Sequence, residues 1–95
     1  MSKDFQKRIK EFFRNKPVLR AYLFGSEARK ETEENSDIDI LVELDYSEPI
    51  GLEFVKMQLE LEKLLNRKVD LLSSEGISKY IRPFIDQEKI LIYEK

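Results

Sequence analysis

Residues 37–44, Asp-Ile-Asp-Ile-Leu-Val-Glu-Leu, constrain this chain more than any other segment. Ile38, Ile40, Val42 and Leu44 alternate with Asp37, Asp39, Leu41 and Glu43, and a strand sends successive side chains to opposite faces. The stretch therefore predicts a strand that buries one apolar face and carries two carboxylates at the start of the other. Such a strand cannot stand alone. It needs neighbouring strands and a helix laid over its apolar side.

The rest of the chain supplies both. Phe5, Ile9, Phe12 and Phe13 fall at i, i+4, i+7 and i+8, one face of a helix that closes before Pro17. Val18 to Phe24 reads as a buried strand ending at Gly25, and Gly25-Ser26 turns the chain into a short helical stretch at Glu27-Ala28-Arg29. Residues 30–36 are polar and loop-like. After the residue 37–44 strand, a loop with Pro49 and Gly51 leads into a helix from Leu52 to Asn66. Its apolar face is Phe54, Met57, Leu61, Leu64 and Leu65, with Val55 and Leu59 widening it. Lys68 to Leu72 predicts a third strand. Ile77, Tyr80, Ile81, Phe84 and Ile85 have helical spacing, but Pro83 interrupts them and predicts a break, with a second short helix starting on the proline. Lys89 to Tyr93 predicts the last strand. The order α-β-(turn)-β-α-β-α-β, with no repeat, low-complexity tract or linker, predicts an α/β (α+β) fold: a small mixed sheet flanked by helices, one domain over residues 1–95.

Composition narrows the chemistry. With 41% hydrophobic and 38% charged residues, the chain is globular rather than disordered. Its net charge of -2 lacks the basic footprint of a non-specific nucleic-acid binder, so no direct nucleic-acid binding is expected. No stretch approaches the roughly 20 apolar residues of a membrane span, and residues 1–13 are too charged for a signal peptide, so the cytoplasm is expected. There is no Cys and no His. That removes thiolate and imidazole from zinc binding and from nucleophile–base pairs. A metal held here must be a hard, oxygen-bound ion such as Mg²⁺, Mn²⁺ or Ca²⁺, and a general base must be a carboxylate, Lys or Tyr.

Several side chains fit that chemistry. Asp37 and Asp39 leave one face of a strand with Cα atoms about 6.5–7 Å apart, close enough to lean onto one ion or a close pair. Asp70, flanked by Val69, Leu71 and Leu72, is a charge in an apolar strand, costly to bury unless something pairs with it. Gly25 permits close backbone approach, and the N–H groups after it, with the Ser26 hydroxyl, can receive a phosphate. Arg29 shares a helical side with Ser26 and could pair with a phosphate or an acid. Each has a plainer reading when taken alone: a solvated strand end for Asp37 and Asp39, an outward-facing edge strand for Asp70, a helix N-cap for Ser26, a surface ion pair for Arg29.

Together the residues say more. Leu23-Phe24-Gly25-Ser26-Glu27-Ala28-Arg29, seven residues, then Asp37-Ile38-Asp39-Ile40-Leu41-Val42 resembles the signature of the DNA polymerase β-like nucleotidyltransferase superfamily, and most of all its minimal nucleotidyltransferases. Ser36 matches the serine before the first acid, Asp70 falls where the family places a third acid, and the segment Ile81 to Tyr93 is similar to the family's C-terminal end. Lys30 departs from the usual glycine after the arginine. The resemblance implies the polymerase β-like fold. It implies Asp37, Asp39 and Asp70 as catalytic metal ligands for two Mg²⁺ ions, and Gly25, Ser26 and Arg29 as nucleotide-binding residues. The implied substrate is a nucleoside triphosphate, with ATP the default, whose α-phosphorus is attacked with release of pyrophosphate.

The acceptor the resemblance implies is a tyrosine of a HEPN-type toxin, with this chain as its antitoxin in a hetero-oligomer; a homo-oligomer is the other possible assembly. The helix faces around Phe54 and Tyr80 are candidate docking surfaces, each with a core position as its plainer reading. Two rival functions stand beside this one. A masking subunit would keep the fold without catalysis, although three acids at one site are more than masking requires. A small-molecule transferase would share the motif, but such enzymes usually carry an additional domain.

Overall fold

The computed structural model describes residues 3–25, 28 and 37–95. It opens with helix α1 (Lys3–Phe13), whose predicted stripe buries Ile9 and Phe13 completely. Strand β1 (Val18–Phe24) follows, then β2 (Ile38–Leu44), helix α2 (Glu53–Leu65), strand β3 (Val69–Ser73), a 3-10 turn at Ser74–Gly76, helix α3 (Arg82–Glu88) and strand β4 (Ile90–Glu94). These elements follow the predicted order. The expected helical turn at Glu27-Ala28-Arg29 and the loop of residues 30–36 lie outside the described residues, except that Ala28 itself is helical.

The four strands form one mixed sheet in the order β3-β2-β1-β4. β1 is antiparallel to both β2 and β4, while β2 and β3 run parallel. A parallel pair needs a crossover, and α2 is that crossover. The helix leads into β3 through Asn66, held in the left-handed region at φ 52°, where Asn is among the few non-glycine residues tolerated.

The alternation in β2 decides where the core sits. Ile38, Ile40 and Val42 are fully buried and, with Ala21, Leu23, Val69, Leu71 and Tyr93, meet Ile9 and Phe13 of α1 and Met57, Leu61 and Leu65 of α2. The α2 face is narrower than its sequence suggests. Val55 and Leu59 are 55% and 57% exposed, because a helix packed on a sheet buries a single stripe and these two lie beyond its edge.

The opposite face of the sheet has a small core of its own. Phe24 and Leu41 are buried there against Ile85 of α3, with Tyr22 and Ile77 packed alongside. Pro83 stands in the first turn of α3, as predicted, where the proline's missing N–H costs nothing. The helical spacing before it does not form a helix: residues 78–81 make a turn, and Tyr80 and Ile81 are 75% and 53% exposed. No helix among the described residues is long and apolar enough to cross a membrane.

Candidate active site

The carboxylates gather at one end of the face that α3 only partly covers. Asp39 is the second residue of β2 and Asp70 the second of β3, and in the parallel ladder they are direct partners. Partners in adjacent strands project from the same face with backbones about 4.8 Å apart. Asp37, two residues before Asp39, leaves from that face too, half-exposed, with Lys68 Nζ 3.9 Å from its Oδ2. The three acids singled out in the sequence thus share one face and one end of the sheet.

Two hydrogen bonds hold this register. Ile38 N–H donates to the Lys68 carbonyl at 2.9 Å, starting the β2–β3 ladder beside the acids. Val69 N–H donates to Glu62 Oε2 of α2 at 3.0 Å, tying the first residue of β3 to the crossover helix. Glu62 and Lys68 were not singled out in the sequence, and nothing in their spacing marks them. Glu62 faces β3 only because α2 packs beside it.

Of the two readings its sequence allows, a paired buried charge and the outward face of an edge strand, Asp70 follows the second. β3 is an edge strand and Asp70 is exposed, so no buried charge awaits a partner. Its register opposite Asp39 is what aligns it, and register between distant segments is invisible in a local sequence window.

Gly25 also has a more specific task than its motif implies. It follows Phe24, which pairs with Asp39, and turns with φ at +71°, where a side chain is strained. A Cβ there would lie deep inside van der Waals contact of Asp39 Oδ2 and 3.1 Å from its Cγ. The missing side chain makes the space in which the Asp39 carboxylate sits. The Gly25 N–H is already engaged, donating to Glu88 Oε1 at the end of α3 at 2.9 Å. A phosphate at this turn must therefore find donors further along. Ser26 and Arg29, the predicted phosphate ligands, lie outside the described residues, as do Lys30 and Ser36.

The donor set suits a hard divalent cation: oxygen ligands only, two from neighbouring strand positions, with space left by Gly25. Among the described residues, no three acidic side chains are yet drawn close enough to hold an ion by themselves. Mg²⁺ is commonly held by one or two carboxylates together with waters and substrate phosphates rather than in a closed protein cage. Asp37 and Asp70 stand at the surface, where their side chains can turn toward Asp39.

The other end of this face carries a polar network. Arg20 Nε donates to Glu94 Oε2 at 2.7 Å and its Nη1 to Glu43 Oε1 at 3.2 Å, while Tyr22 Oη donates to Glu43 Oε2 at 2.8 Å. Burial, and then the bond to Glu43, push the Tyr22 phenol above its ordinary value. Lys89 Nζ lies 4.4 Å from the Tyr22 ring centroid and pairs with Asp86 at 2.9 Å, so α3 is fastened to the sheet just beyond Glu88.

Known proteins share this arrangement of elements. A candidate protein adenylyltransferase of Methanocaldococcus jannaschii, MJ0126, is 39% identical over 89 residues, covering 92% of this chain and 86% of its own length. The protein adenylyltransferase MntA of Thermococcus cleftensis is 37% identical over 71 residues, 74% of this chain and 70% of its own. Among solved structures, that of a tri-AMPylated Shewanella oneidensis HEPN toxin in complex with an MNT antitoxin superimposes with a TM-score of 0.75 at 20% identity. It covers 100% of this chain and 74% of the matched one, a likeness of fold. The family model for polymerase beta nucleotidyltransferases matches residues 7–95, and with this fold and these relatives the chain belongs to that nucleotidyltransferase family.

Proposed function

We propose that this chain, acting as a single nucleotidyltransferase domain, moves AMP from ATP to a hydroxyl on a partner protein, with Asp37, Asp39 and Asp70 as its metal-binding acids. The observation that carries the reading is the pairing of Asp39 with Asp70 across the β2–β3 ladder, above a glycine that leaves room for the Asp39 carboxylate. Bound Mg²⁺ would supply charge neutralisation on the triphosphate and a lower pKa for the attacking hydroxyl. The chain's own part is positioning. Asp37 and Asp39 hold the metal end of the triphosphate, Asp70 stands beside Asp39 to take the proton of the acceptor hydroxyl, and the turn after Gly25, with Ser26 and Arg29, grips the phosphates. Positioning and electrostatics carry most of the rate in such transfers, because little covalent chemistry falls to the protein.

The acceptor in this reading is a tyrosine of a HEPN-type toxin, and the chain is its antitoxin. Support comes from the relatives named as protein adenylyltransferases and from the fold shared with an antitoxin bound to an AMPylated HEPN toxin. It comes also from an exposed apolar patch at one end of α3, the helix whose other end reaches Gly25. Tyr80, Ile81 and Phe84, at the start of α3, are 75%, 53% and 72% exposed, which suits a docking face. Phe54, the other candidate, packs against the core instead.

The test is incubation with α-labelled ATP, Mg²⁺ and a lysate of the source cell, beside an Asp37→Asn/Asp39→Asn variant. Label on one protein band, absent with the variant, is the expected result. Label on a small molecule would move the reading to a small-molecule transferase. No label on a partner known to be present would leave a masking subunit.

A further inference from the structure

We propose that Glu88 is a positioning residue that fixes the Gly25 turn and, through it, Asp39; the proposal rests on the reading of the acids given above. Gly25 is gripped from two sides. On one, Glu88 Oε1 accepts its N–H at 2.9 Å across 63 residues of sequence. On the other, the Asp39 carboxylate occupies the space its missing side chain leaves. Gly25 lies just past the end of β1, where the ladder to β2 stops at Phe24–Asp39, so its N–H needs an acceptor from elsewhere. A carboxylate is the strongest acceptor a side chain can offer a backbone N–H.

Glu88 is itself well placed for this. It closes α3, whose Ile85, one turn earlier, is buried against Phe24 and Leu41, the residues before Gly25 and after Asp39 in that small core. Lys89 then locks the helix end through Asp86 and the Tyr22 ring. The helix thus carries a fixed carboxylate to the turn. If the turn moves, the Asp39 carboxylate loses the surface against which it rests. Glu88 acts through Gly25 and not on the ion. The amide of Gln could replace its acceptor oxygen, and Asp, one methylene shorter, could not reach.

Amide exchange and Mn²⁺ binding on the purified protein separate these roles. In wild type and Glu88→Gln the Gly25 amide should be protected from hydrogen exchange. In Glu88→Ala and Glu88→Asp it should exchange at least tenfold faster, with the protein still folded by circular dichroism. Mn²⁺ affinity, read by electron paramagnetic resonance without nucleotide, should fall about tenfold in the Ala and Asp variants and stay within twofold of wild type in Gln. Equal loss in Gln and Ala would make Glu88 a ligand or a charge effect and overturn the proposal, as would a protected Gly25 amide in Glu88→Ala. Wild-type Mn²⁺ binding indifferent to Asp37→Asn/Asp39→Asn would overturn the reading of the site itself, and the proposal with it, while amide exchange still reported the Glu88 bond.

Discussion

Replacing Gly25 with alanine tests the central geometric claim most directly. Two costs are expected, and they can be separated. The backbone sits at φ +71°, and holding an L-residue in that region costs about 1–2 kcal/mol. For a chain of this size each kcal/mol lowers Tm by about 4–8 °C. The second cost is the collision of the new Cβ with the Asp39 carboxylate. The carboxylate is the mobile end of its side chain and can swing aside, at about 0.5–1.5 kcal/mol for a strained rotamer.

A double-mutant cycle isolates the collision. In an Asp39→Ala background the carboxylate is gone, and the remaining Cβ of residue 39 lies at 3.4 Å, an ordinary contact. Gly25→Ala should then cost only its backbone part, so the two substitutions should couple by about 0.5–1.5 kcal/mol in urea or thermal unfolding. Displacing the acid should also depress transfer by about 100-fold, the scale of a 1 Å misplacement. Equal costs of Gly25→Ala in both backgrounds, or a Gly25→Ala protein with full transfer activity, would refute the claim that this glycine exists to seat Asp39.

Other perturbations follow from the same geometry. Glu62→Ala leaves the Val69 N–H without its partner at the start of β3 and should destabilise by about 1–3 kcal/mol in denaturant unfolding; an unchanged midpoint would remove Glu62 from the account of the β2–β3 register. Tyr80→Ser and Phe84→Ser, at exposed positions, should leave Tm within about 2 °C yet abolish pull-down of the proposed HEPN-type partner, and retained binding would exclude this face. Asp45 is buried, and bonds from the Ser47 hydroxyl, the Ser47 N–H and Lys95 hold its carboxyl below its ordinary value of 3.8. A depressed carboxylate contributes stability above that value and loses it as pH falls through the folded one. The Tm gap between wild type and Asp45→Asn should therefore be constant from pH 5 to 8 and close below about pH 4; a gap unchanged at pH 2 would contradict it.

What could be read from the sequence was what is local. Each strand showed in its own alternation or apolar run, Pro83 marked the start of α3, and Asp37 with Asp39 announced the acidic end of β2. Relations between distant segments could not be read. Asp70 could be read as a buried charge or as the outward face of an edge strand; the second holds, but its place opposite Asp39 could not be read. Val55 and Leu59 fitted the α2 face by spacing, but packing on a sheet left both outside. Glu88 is an ordinary acidic residue at a helix end until the fold brings it to Gly25 across the chain. The residues missed are those whose role exists only across a long loop closure, where spacing carries no signal.

The uneven cover on the two faces of the sheet explains where a site can exist in so short a chain. α1 and α2 together seal one face, with Ile38, Ile40, Val42 and Val69 at zero exposure, so no polar chemistry could stand there. Among the described residues, the other face is covered by the seven residues of α3, anchored by Ile85, with Ile77 packed alongside. That cover reaches Phe24 and Leu41, and beside it Asp39 stays partly exposed and Asp70 more so. Acids placed at the starts of β2 and β3 keep access to water and ligand while their backbones are held in the β2–β3 ladder. Moving the same carboxylates two residues along β2 would put one at Leu41, under α3, where burial would disfavour its charge and no substrate could enter. The short length of α3 is therefore a condition for the site, and a helix extended over the acidic end should close it without touching a single acid.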